Sequence, residues 1–135
     1  MAEVHLEPRI SALLVAQDAF RDERGRIHVH GIFDNIASPK FPLTTSFMVF
    51  VAFRGTKRGN YQAMVRLLDS LDNKLVETEQ MRFEVTEFKG HNLFIKLGVR
   101  LASPQLYKIK LFVDGIERLD MPLMVRQVEA TPPQS

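Results

Sequence analysis

The chain has 135 residues, with 18 Lys and Arg against 16 Asp and Glu, and no cysteine. A net charge of +2, with no basic run longer than two residues, argues against the concentrated cationic stripe that phosphate-backbone binding needs. The missing cysteines exclude disulfides, thiolate metal sites and a cysteine nucleophile, and the length suits one domain with a real core.

Glu3 and Glu7 stand where a secretory leader would carry positive charge, and the apolar stretch from Ile10 to Ala16 is short and holds Ser11. The longest apolar run, Phe47 to Phe53, falls far below the roughly 20 residues of a membrane-spanning helix. Together with the absence of cysteine this predicts a cytoplasmic protein.

Turn residues then recur at short intervals: Arg21 to Gly25, Asp34 to Pro42, Arg54 to Asn60, Asp69 to Asn73, Lys89 to Asn92, Ala102 to Gln105 and Asp114-Gly115. Between them lie segments of strand length rich in Val, Ile, Phe and Leu, the mark of an all-β sandwich or barrel. Strands are expected at 9–17, 26–33, 45–53, 60–69, 74–88 (broken or bent), 92–101, 105–113 and 116–127. Several alternate cleanly. Met81, Phe83 and Val85 oppose Arg82, Glu84 and Thr86; Leu93, Ile95, Leu97 and Val99 oppose Phe94, Lys96, Gly98 and Arg100. Half-buried antiparallel sheets give this pattern. Asp114-Gly115 accepts the positive φ angles of a type I′ turn, so the last two strands should form a tight hairpin. The expected fold is one antiparallel β-sandwich over residues 1–130, of seven to eight strands, with 131–135 as a flexible tail.

Two resemblances follow. Pro104-x-x-Tyr107-x-Ile109-x-Leu111-x-Val113-x-Gly115 resembles the penultimate strand of immunoglobulin-like sandwiches, where an inward tyrosine sits at a corner. Gly31-Ile32-Phe33-Asp34-Asn35-Ile36, preceded by Ala12 to Asp18 and followed by Phe41-Pro42, resembles a family of small bacterial proteins of unknown function. The Tyr107 to Val125 hairpin is similar as well. That resemblance implies a fold and no catalytic residues, cofactor or activity.

The third expected strand carries the sharpest functional signal. Phe47, Val49, Val51 and Phe53 form one apolar face, and Met48, Phe50 and Ala52 make the other apolar too. A strand apolar on both sides is covered on both sides. By parity in an immunoglobulin-like sheet, Met48 and Phe50 would join Met64, Leu68, Phe112 and Met124, with Lys108, Lys110, Arg66 and Arg126 as rim. Met and aromatic residues rimmed by arginine suit a protein interface. The expected function is therefore a non-catalytic binding or assembly module, with a protein partner or a second copy and no nucleic acid, membrane or cofactor. The competing reading is that another segment of the chain covers the face, such as the 34–42 connection.

The alternative function is a small metal-binding protein or metal-dependent enzyme. His28 and His30 share one side of a strand and would need a third ligand, such as His91 or a carboxylate. The simpler reading puts Ile27, Val29 and Phe33 in the core and both histidines in water. The loop Arg54 to Asn60 could hold an anion but lacks the Gly-Lys-Ser/Thr of a phosphate loop, and a solvated turn is the simpler reading. Asp18, Asp34, Asp114 and Asp120 sit at strand ends as turn formers do. No Gly-x-Ser-x-Gly elbow occurs, so enzyme chemistry has no clear home. With no Trp and two Tyr, a flat sugar platform is also disfavoured.

Overall fold

The structure, a computed structural model, describes residues 7–55 and 57–130. The expected tail at 131–135 lies outside the described residues. Ten strands form two packed sheets: β1 (Arg9–Arg21), β2 (Ile27–Ile32), β3 (Asn35–Ser38), β4 (Leu43–Arg54), β5 (Gly59–Leu68), β6 (Lys74–Glu77), β7 (Met81–Val85), β8 (His91–Leu101), β9 (Gln105–Val113) and β10 (Ile116–Gln127). The first sheet runs β2-β1-β4-β8. The second runs β3-β10-β9-β5-β6, with β7 also on β5. Among the described residues no helix occurs, so none is long and apolar enough to cross a membrane.

The alternation explains the core. Val49, Val51 and Phe53 of β4 and Ile95 and Leu97 of β8 meet Val65, Leu67, Ile109 and Leu111 of the second sheet. All are buried, and burial on this scale is the main favourable term in folding. Tyr107 lies inside at the start of β9, where its hydroxyl donates to the Ser103 carbonyl at 2.8 Å. Immunoglobulin-like sandwiches place the same corner at the start of their penultimate strand.

One expectation about strand number is corrected and another is met. The 34–42 connection contains β3, which pairs in parallel with β10 from Met124–Asn35 to Gln127–Ser38. The 74–88 segment does break, into β6 and β7 laid end to end along β5. Thr78 marks the break. Its amide donates to the Val65 carbonyl, and its hydroxyl accepts the Val65 amide in place of a backbone partner.

The last hairpin is as tight as expected. Val113 pairs with Ile116, and Asp114 and Gly115 have φ of 51° and 79°. A β-branched side chain is strongly disfavoured at such a φ. Gly115→Val is expected to cost about 1–3 kcal/mol, read as a drop in the urea midpoint. A mutant that melts with the parent would mean the turn tolerates negative φ.

Candidate functional site

The six residues expected in one patch lie on opposite sides of the molecule. Met48 and Phe50 belong to β4 in the first sheet, whereas Met64, Leu68, Phe112 and Met124 belong to β5, β9 and β10 in the second. The sequence shows which side chains point away from the core, but it does not show which sheet a strand joins. A single six-residue interface is therefore ruled out by topology.

The outer face of the first sheet is covered by its own chain. Phe50 is only 7% exposed and forms a second buried cluster with Ala19 and Ala52; Leu14, Ile27, Val29, Met48 and Phe94 pack against it. All of these come from the four strands of that sheet. Leu14 sits beside Phe50 in the ladder. Ala19 is five residues further along, about 16 Å in an extended strand, too far to reach Phe50 if β1 ran straight. β1 stops pairing with β4 at Ala16–Met48 and continues with β2 alone. The β1–β2 hairpin therefore bends back over the face and lays Ala19, Ile27 and Val29 on it. The bend falls where Gly31 takes φ 67° with the Gln17 side chain against it. The cover is thus the 18–30 hairpin, not the 34–42 connection.

The bend also carries the hairpin tip to the far end of the sheet. His91 pairs with Phe53 at that end. Its pKa is held below 6.5 by burial first, then by the charges of Arg21 and Lys89. A histidine pKa lowered by folding means the unfolded chain takes the proton more readily. The stability linked to neutral His91 holds above pH 6.5 and is lost as pH falls from there through the folded-state value. Arg21→Gln is expected to raise the His91 pKa in an NMR titration. An unchanged value would place Arg21 away from this end.

The hairpin corrects the reading of β2. Phe33 meets the core, edge-on to Phe47, but Ile27 and Val29 face the outer cluster instead. The positive φ at Gly31 breaks the alternation between them. His28 and His30 stack with Phe20, at ring separations of 5.0 and 5.4 Å. Asp22 holds His28 Nε2 at 2.7 Å and also accepts the amides of Arg24 and Arg26. The His28 hydrogen bond leads the causes that lower the Asp22 pKa to about 2. His91 lies beyond the covered face and stacks on Phe83. Among the described residues no three His, Asp or Glu gather into a metal-ligand set.

In the 54–60 loop, Arg58 faces Glu84 at 3.4 Å and Arg54 donates to the Phe53 carbonyl. Thr56 lies outside the described residues. Two of the three cations are thus turned to local partners, which suits a solvated turn better than an anion cradle.

The outer face of the second sheet is built differently. Across it the rows alternate apolar and charged. Arg66 lies over the Phe112 ring at 4.8 Å and reaches Glu77 at 3.0 Å. Lys110 holds Glu117 at 2.7 Å, and Lys108 holds Asp72 at 2.9 Å. The Lys74 and Arg66 hydrogen bonds lower the Glu77 pKa, and the Glu117 bond raises that of Lys110. Three of the four rim cations are therefore paired with acids of the same face, while Arg126 reaches the Asn35 side-chain oxygen at 3.4 Å, which weakens any general pull on polyanions. Met64 and Leu68 are buried among these long side chains.

An apolar patch left open on this face lies at the β3 end. Leu106 and Met124 pair across β9 and β10 and are 39% and 42% exposed. With Pro122, Asp34, Asn35 and Arg126 they line a shallow groove. Met124 was expected in the site; Leu106 and Pro122 were not. Their signal was legible: Leu106 stands at outward parity in a strand whose inward positions are filled by Tyr107, Ile109 and Leu111.

The pattern of the DUF6941 family, a family of unknown function, matches residues 11–126. The chain belongs to that family. The match takes in β2 to β9 whole, all of β1 except its first two residues and all of β10 except its last, so the folded-back hairpin and the Leu106–Met124 groove both fall inside it. No curated protein matches this family member. Among solved structures it is similar to Pseudomonas fluorescens alkylpurine DNA glycosylase AlkC bound to DNA containing an abasic site analog. The TM-score is 0.60 at 10% identity, over 89% of this chain and 30% of that one. The family member thus spans less than a third of that enzyme's chain, and the likeness shows the sandwich fold alone. A CARDB domain from Pyrococcus furiosus, in complex with di-metal ions, aligns at 12% identity over 92% of this chain and 94% of that one, with a TM-score of 0.44.

Proposed function

We propose that this DUF6941 protein is a non-catalytic binding module whose working surface is the outer face of the second sheet, centred on Leu106 and Met124. The observation that carries this reading is the contrast between the two sheets. The first covers its apolar outer face with its own hairpin. The second leaves a Leu–Met pair in water beside Pro122 and Arg126. An adaptable methionine next to an arginine is a composition enriched at protein contacts. The strand order and the Tyr107 corner support placing the module among immunoglobulin-like sandwiches, a scaffold that serves many functions and dictates none.

The test is affinity capture from the native host's extract with the parent, Met124→Glu and Ile32→Glu. Ile32 is 59% exposed on β2, in the other sheet, so it serves as the control. A partner retained by the parent and Ile32→Glu but lost by Met124→Glu is the expected result. Identical capture by all three would remove Met124 from the contact.

A further inference from the structure

Among the described residues, the β1–β2 hairpin meets the sheet beneath it through apolar side chains. Among the described residues its side-chain hydrogen bonds stay within the hairpin. Asp18 accepts from the Ala19 amide, Arg21 donates to the Gly25 carbonyl, and Asp22 binds Arg24, Arg26 and His28. The grip consists of Ala19, Ile27 and Val29 on the cluster around Phe50. Near the tip, Arg21 and Lys89 act on His91 with like charge, which adds nothing to hold it down.

The hinge is equally local. Pairing of β1 with β4 ends at Ala16–Met48, and both hairpin strands cross the bend between Ala16–Ile32 and Asp18–His30, at Gly31. An arm with one bend, no polar tether among the described residues and an apolar seat on its own sheet fits the same seat on another copy. The arm contacts are then the same in both arrangements. The balance is set by the hinge and by chain concentration against the effective concentration of the attached arm.

We propose that the hairpin, residues 17–32, is an exchangeable arm, and that the partner of the Leu14–Phe50–Phe94 face is a second copy of this chain. In the dimer each copy seats its arm on the first sheet of the other. Lifting the arm bares Phe50 and its neighbours to water, and recapture by either copy removes that cost. The second-sheet groove takes no part, so this proposal and the binding-module reading stand or fall separately.

The chain has no cysteine, so an Ala19→Cys/Ala52→Cys variant carries only two thiols, both in the small buried cluster. A short bismaleimide added to the dilute monomer joins arm to seat within one chain. Parent, unlinked variant and linked variant are then concentrated in sub-denaturing urea, diluted, and sized by light scattering. The expected result is a dimer of twice the 15.5 kDa chain mass for the first two, persisting after dilution, and only monomer for the linked form. Added after dimerisation, the reagent should join two chains on a denaturing gel. A parent that stays monomeric at every concentration overturns the proposal whatever the variant does. So does a linked form that dimerises like the parent, or a dimer cross-linked only within each chain.

Discussion

Phe50→Glu is expected to destabilise the protein by about 3–5 kcal/mol, the range for losing a large buried aromatic, and to lift the β1–β2 hairpin. The ring is almost wholly covered and packs 5.4 Å from Phe94. A carboxylate in its place would be buried without a partner. The protein has one inexpensive response: the arm can swing away and let the charge reach water, so local opening should precede global unfolding. Urea denaturation would read the loss. Limited proteolysis at the Arg21–Arg26 turn would read the opening, as faster cleavage there than in the parent. Unchanged stability and cleavage would mean that Phe50 faces solvent and the hairpin does not cover it.

The second large effect is expected at Tyr107. Tyr107→Ala should cost about 3–5 kcal/mol through lost aromatic burial. Tyr107→Phe should cost about 1 kcal/mol, since it removes only the bond to the Ser103 carbonyl. The ring is 1% exposed and packs with Leu123 and Ile109 in the main core. It also pins the β8–β9 corner, from which β9 is aimed at β5 and β10. Denaturant curves of the two variants separate ring from hydroxyl. A Tyr107→Phe curve that overlays the parent would show that the corner bond adds nothing to stability.

Outside β2, where Ile27 and Val29 turn to the outer cluster, strand identity and inward parity were legible because period-2 alternation reports them directly. The β9–β10 turn was legible because Asp-Gly suits positive φ. What the sequence hid is long-range. β3 is four residues long, and nothing local marks a parallel pairing with β10. The sheet to which β4 belongs is set by its partners β1 and β8, so parity alone could not show that Phe50 and Phe112 face opposite ways. Gly31 was the one local clue to the fold-back. An isolated glycine within a strand pattern signals a bulge, and here it splits Val29 from Phe33. The double-sided apolar β4 was the right clue that something covers Phe50. The cover is the chain's own hairpin, because Ala19 is small enough to let the two layers approach.

The central claim is the proposed one, that the surface for a partner other than the chain itself is the second sheet's groove around Leu106 and Met124. Site-specific photocross-linking tests it most directly, with a photoreactive residue placed singly at position 106, 124 or 32 and the protein irradiated in extract of its host. The account predicts one shared adduct from positions 106 and 124, absent from position 32 and abolished by Arg126→Glu at the groove's rim. Adducts from position 32 alone, or none from 106 and 124, would contradict it.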